Sequence, residues 1–174
     1  MQRTVSLLFA VQLIALTVLL AAPHAARAQA TERLGDFGDW SAFRAKEGEN
    51  FACYVSSIPI KAEGKYKKRG EIYAFVTHRP ADGRRDEVSF FAGYTHKKDS
   101  VVKVKVGSTT KELFTQGNSA WVADKETDQQ LIQAMIKGSS MIVRGTSKRG
   151  TATKDTYSLK GFTKAYNSIN KACP

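Results

Sequence analysis

The stretch Val101-Val102-Lys103-Val104-Lys105-Val106-Gly107-Ser108 decides the fold class of this chain. On an extended backbone Val102, Val104 and Val106 fall on one side and Lys103 and Lys105 on the other, the period-2 pattern of a half-buried strand. Gly107-Ser108 is a Gly-X pair suited to a tight hairpin into a second strand over 109–115. The pattern repeats upstream. Asp36–Arg44 holds Phe37, Trp40 and Phe43, after a polar lead-in over 29–35. Asn50–Ile58 holds Phe51, Cys53, Val55 and Ile58, and Pro59 stops it. Glu71–His78 and Glu87–Tyr94 are apolar at their centres and flank Pro80-Ala81-Asp82-Gly83, whose Asp-Gly pair signals a hairpin. Downstream, Gly117-Asn118 turns the chain into 119–123, and 141–144 and 156–159 read as two more strands.

Two segments carry helical spacing instead. Thr127 and Gln130 resemble a capping box, and Leu131, Ile132, Met135 and Ile136 then form one apolar face. Lys137 suits the negative helix end and Gly138 can terminate it. Phe162, Ala165, Tyr166 and Ile169 mark a second helix over about 162–172, with Lys164, Asn167 and Lys171 facing water. Many short strands with frequent turns predict a mainly β chain: an antiparallel β-sandwich or barrel-like domain with two peripheral helices. Because Tyr73–Val76 and Phe90-Phe91 are apolar on both faces, a second layer is expected on both sides of that hairpin.

The first residues address the compartment. Arg3 precedes an almost wholly apolar run from Val5 to Ala22, and Ala26-Arg27-Ala28 is a small-x-small cleavage motif. That order reads as a secretory signal over 1–28, leaving a single domain over 29–174 that starts at Gln29 and has no transmembrane segment after cleavage. The run is long enough to raise a membrane anchor as the rival, but Gln12 interrupts it and the cleavage motif follows at once. The expected location is the periplasm, with outer-membrane association or secretion as variants. In that oxidising setting the two cysteines, Cys53 and Cys173, imply one disulfide, against the alternative of two buried free thiols.

Lys plus Arg number 27 against 16 acids, for a net charge of +11. Loss of Arg3 and Arg27 leaves about +9, which favours anionic partners. The cations are clustered. Lys61, Lys65, Lys67, Lys68 and Arg69 crowd one connection, with Tyr66 among them; Arg84 and Arg85 sit in the next; Lys97 and Lys98 in the one after. In an up-and-down run of strands alternate connections share an end, so Lys65, Lys67, Lys68, Arg69, Lys97 and Lys98 are expected to form a positive rim. A solvated loop is the plainer alternative. An exported chain rarely meets nucleic acid, so that partner is not expected.

Catalytic signatures are missing from the sequence. There is no G-x-S-x-G, P-loop or G-x-G-x-x-G at a strand–helix junction. His78 and His96 lack the spacing and the spare cysteines of a metal site, so both are expected to be structural or surface residues. No cofactor is implied. Asp36 and Asp39 suit turn and cap roles better than acid–base chemistry. Trp40 and Trp121 could offer sugar-stacking platforms, though core packing is their commoner fate.

Several blocks in fixed order carry a resemblance. Phe37-Gly38-Asp39-Trp40 lies ahead of Cys53-Tyr54 and Ile58-Pro59; Glu87-Val88-Ser89-Phe90 leads to Gly93-Tyr94; Ala120-Trp121 precedes the 128–138 helix; Arg149-Gly150-Thr151 and Asp155–Phe162 follow, closed by Ala172-Cys173. Over residues 36–173 the chain resembles the invasion-associated locus B family of alphaproteobacterial envelope proteins. The resemblance implies an exported β-sandwich-like domain without an established enzyme activity or catalytic motif. It also implies a link to host-cell invasion that transfers weakly, since many relatives belong to free-living or plant-associated bacteria. Some relatives carry extra cysteines soon after the Gly-Asp-Trp block; Phe43 and Arg44 stand here instead. The expectation is therefore a non-catalytic envelope factor. It would bind an anionic glycan, lipopolysaccharide or another host-surface ligand; alternatively it supports the envelope structurally through an envelope protein partner.

Overall fold

A computed structural model of the chain describes residues 31–174. The expected signal segment and its cleavage point lie outside the described residues. The strands are β1 (Thr31–Phe37), β2 (Trp40–Glu47), β3 (Asn50–Ser57), β4 (Lys61–Gly64), β5 (Tyr73–Arg79), β6 (Arg84–Phe91), β7 (Val101–Val106), β8 (Thr109–Gln116), β9 (Ser119–Trp121), β10 (Ser140–Thr146) and β11 (Ala152–Ser158). Helices α1 (Lys125–Lys137) and α2 (Phe162–Ala172) follow β9 and β11. All strands join one sheet in the order β1-β2-β3-β5-β6-β9-β8-β7-β10-β11-β4, and every pairing is antiparallel.

The fold is mainly β, as the sequence predicts, and the sheet is not closed into a barrel: among the described residues β1 and β4 are its free edges. It doubles over on itself instead. Trp40 of β2 donates its indole N–H to the Ser158 carbonyl of β11 at 2.9 Å, and the Asp39 amide reaches the Lys160 carbonyl at 3.1 Å. Val55, Val76, Val88 and Phe90 from one half meet Val104, Leu113, Met141 and Tyr157 from the other in a single buried cluster. The period-2 expectation for 101–106 holds residue by residue, with Val102, Val104 and Val106 buried and Lys103 and Lys105 exposed.

Helix α2 places Phe162, Ala165 and Ile169 in the same core. Its start depends on Gly161, which has φ +90°; a Cβ there would lie 1.4 Å from the Phe37 carbonyl oxygen, so only glycine permits this approach. The Cys53–Cys173 disulfide pins the other end of α2 to β3, closing 120 residues of sequence. Helix α1 buries Leu131, Ile132 and Met135.

Four local expectations need correcting. Residues 31–37 form edge strand β1 rather than a lead-in; only Leu34 and Phe37 pack against the core, and a register shift between Arg33 and Gly35 breaks the period-2 alternation, so the pattern was silent. Gly38-Asp39 breaks the expected 36–44 strand into β1 and β2. Helix α1 is capped by Asp124, whose carboxylate accepts from the Thr127 amide at 2.8 Å, and Gln130 bonds to Glu126 instead of reaching back to the cap. Finally, among the described residues only one side of the β5–β6 hairpin is covered. Ala74, Val76, Val88 and Phe90 face the core, whereas Tyr73, Phe75 and Phe91 point outward and are half-buried.

Candidate functional site

The basic connection after β4 crosses the corner that follows β6. The Gly70 amide donates to the Gly93 carbonyl at 2.9 Å, and Gly93 has φ +68°, with a Cβ there falling 2.4 Å from the Gly70 oxygen. Glycine at this crossing lets the two backbones touch. Arg69 locks it from beneath. Its guanidinium makes two parallel bonds to the Asp155 carboxylate, at 2.7 and 2.6 Å, and its Nε donates to the Ala92 carbonyl at 2.7 Å. The Arg69 and Asp155 side chains are only 4% and 5% exposed. The guanidinium also lies 5.5 Å from the Tyr66 ring centroid and 5.0 Å from that of Tyr94.

A second wall comes from the β10–β11 turn. The Lys97 amide donates to Thr146 at 2.9 Å and the Lys148 amide to Thr95 at 2.7 Å, so the 95–97 segment holds the turn in place. Between the walls lies a cleft of about 640 Å³, lined on one side by Lys65, Tyr66, Lys67 and Lys68 and on the other by Lys148 and Arg149. Tyr94, Thr151 and Thr153 line it too, and the Tyr94 hydroxyl hydrogen-bonds Thr153 at 2.6 Å. Among the described residues Lys65, Lys67, Lys68, Lys148 and Arg149 make no ion pair, while Lys61 and Lys154 are both held by Glu63.

The expected rim therefore divides. Lys65, Lys67 and Lys68 line the cleft with free charges. Arg69 has its charge committed to Asp155 and serves as the floor's fastener. Lys97 and Lys98 reach the same end of the molecule but lie outside the lining, behind the turn. Lys148 and Arg149 were not singled out by the sequence, although two adjacent cations in a glycine-bearing turn were a readable signal. The strand order is not up-and-down; the two connections share an end because β3, β5 and β6 are sheet neighbours.

His96 sits under Tyr94, ring centroids 5.2 Å apart, and is 6% exposed. Neither ring nitrogen has a hydrogen-bond partner among the described residues. Burial pulls the imidazole below its ordinary pKa and keeps it neutral. His78 is fully buried elsewhere; its Nδ1 accepts from the Asp86 amide and its Nε2 meets Asn170, a structural arrangement. Among the described residues no group of three or more His, Cys, Asp or Glu side chains could hold a metal ion. Ser147 faces the cleft but its hydroxyl accepts from the Thr151 amide, a turn role. The arrangement can hold an anion and stack against a ring or acyl surface; no side chain in it is poised as an activated nucleophile.

Taken together, the architecture is that of a small, mainly β, disulfide-tied domain with an open basic cleft at one end. A family model described as Invasion associated locus B (IalB) protein matches residues 40–170. The chain belongs to that family, and the membership and the disulfide fit an envelope protein. No curated protein and no solved structure matches. No helix among the described residues is long and apolar enough to cross a membrane.

Proposed function

We propose that this protein is a non-catalytic periplasmic binding factor that docks an anionic envelope or host-surface ligand in the cleft. One observation carries the reading: five cations without ion-pair partners among the described residues, from connections some eighty residues apart, converge on one tyrosine-walled cleft. Unpaired lysines repel one another, so convergence without a carboxylate costs stability that a bound anion would return. Tyr66 and Tyr94 add flat apolar surface suited to a sugar ring or acyl chain beside a phosphate or carboxylate. The alternative is a structural envelope protein whose cations serve solubility.

Binding of the exported protein to vesicles carrying lipopolysaccharide, and to a sulfated glycan, separates the two. The proposal expects affinity that falls steeply between about 50 and 300 mM salt, as screening shortens the reach of exposed charges. Reversing Lys67, Lys68, Lys148 and Arg149 to Glu abolishes binding with little change in stability, because exposed charges contribute little to folding. Reversing Lys103 and Lys105, exposed on a strand outside the cleft, controls for net charge. Equal loss in both variants means bulk electrostatics, and absence of binding by the wild type favours the structural reading.

A further inference from the structure

The side of the sheet that none of the described residues covers is a second surface, independent of the cleft. Phe43, Tyr54, Phe75 and Phe91 form a row of touching rings across β2, β3, β5 and β6, with centroids 5.1, 5.9 and 5.6 Å apart. Tyr73 joins Phe75 at 5.7 Å. Register extends the patch: Phe75 pairs with Ser89, Ser89 with Trp121, Trp121 with Phe114 and Phe114 with Val101. Phe114 and Val101 are 47% and 44% exposed. None of these side chains packs against the main core cluster. Past Tyr73 the face runs into an open groove bordered by Ile58 and Ile60, both well exposed.

We propose that this face is the contact surface of a symmetric dimer, aromatic row against aromatic row of a second copy of this chain. Two arguments favour a second copy over an anionic surface. First, charge: in a chain of net charge +11, the outward positions of β1, β2, β3, β5, β6, β8 and β9 carry no lysine, and Lys103, beside Val101 on β7, is paired with Glu112. The arginines bordering the face are neutralised, Arg33 by Asp36 and Arg79 by Glu47 and Glu87. Self-repulsion is least here, and nothing attracts a polyanion. Second, area: with paired strands ~4.8 Å apart and alternate residues ~6.8 Å apart, the three outward rows level with Tyr73, Phe75 and Thr77, taken from β2 across to β7 with polar rim residues such as Glu87 and Glu112 included, cover about 29 by 20 Å, roughly 600 Å², the per-partner area at which specific interfaces begin. An isologous pairing places the Ile58–Ile60 borders at its rim and leaves both clefts open.

Sedimentation velocity on the exported protein over about 1–100 µM tests this, since a standard-size interface gives micromolar or tighter affinity. The expected result is a dimer that persists in high salt, a behaviour opposite to that of cleft binding, so failure of either reading is distinguishable. Phe75→Glu, at the centre, weakens dimerisation at least ~30-fold, whereas reversing Lys164 and Lys171, exposed on α2 away from this face, leaves it unchanged. If Phe75→Glu loses its native near-UV circular dichroism, Phe114→Glu, which is more exposed, supplies the same comparison. A photocrosslinker at position 75 captures a second copy. A monomer at every concentration, a dimer indifferent to both substitutions, or crosslinking to lipid, glycan or another protein instead of this chain overturns the proposal.

Discussion

Replacing Arg69 with Met removes one half of a buried ion pair while keeping most of the side-chain volume. Asp155 is then left as a 5%-exposed carboxylate without its two guanidinium bonds, and the Ala92 carbonyl loses its Arg69 donor. Breaking such a pair from one side costs about 3–5 kcal/mol. For a domain of this size that is a large share of total stability, and at about 2–4 °C per kcal/mol it lowers Tm by roughly 10–15 °C. Converting Asp155 to Leu as well removes the stranded charge, so the double variant recovers much of the loss. Arg69→Lys keeps the charge but not the fork, and falls between. Urea unfolding of the four proteins is the assay. If Arg69→Met lies within about 1 kcal/mol of wild type, the threshold of an ordinary surface change, the pair does not hold the cleft floor and the reasoning fails. The contrast with Lys67 and Lys68, two neighbours in sequence whose reversal leaves folding intact, is the sharper part of the claim.

Two further predictions concern the frame. Cys173→Ser opens a loop of 120 residues, which the chain-entropy account values at about 4–5 kcal/mol; hydrogen exchange in α2 rises before that in β7–β8, and uniform destabilisation without selective exchange at α2 contradicts the pinning role. Asp128 accepts from the Val88 amide at 2.9 Å, because β9 pairs only with Ser89–Phe91 and stops short of Val88. Burial and the nearby Glu87, Asp86 and Asp124 push its pKa up to about 7. The folded state therefore holds a proton that the unfolded chain gives up above about pH 4, so this contribution is greatest in acid and is lost as pH rises through 7. Asp128→Asn, which keeps the acceptor, should match wild type near pH 5 and exceed it by about 2–3 kcal/mol near pH 8; a difference independent of pH would refute the assignment.

Elements with strong local reasons were legible along the chain. Val102, Val104 and Val106 had to share a buried face, Gly107 had to turn, and the helix at 162–172 had one apolar stripe. The compartment reading made a Cys53–Cys173 bridge the expected pairing, and the structure contains it. Edge strand β1 was silent because only Leu34 and Phe37 pack inward and the register shift between Arg33 and Gly35 interrupts the alternation. The β5–β6 hairpin misled for the opposite reason: apolar residues on both faces of a strand state that both avoid water, but not what covers them. The cleft shows the same division. Local crowding of Lys65, Lys67 and Lys68 was visible, but the sequence does not say which cation is spent inside the molecule. Arg69 differs from Lys68 only because Asp155, 86 residues away, is brought under it when β11 packs beside β4. Likewise Lys148 and Arg149 join the site because the 95–97 segment hydrogen-bonds to their turn. Periodicity reports a residue's relation to solvent along its own strand. Partnership between residues distant in sequence is set by strand order and by the doubling of the sheet, and those are properties of the tertiary structure alone.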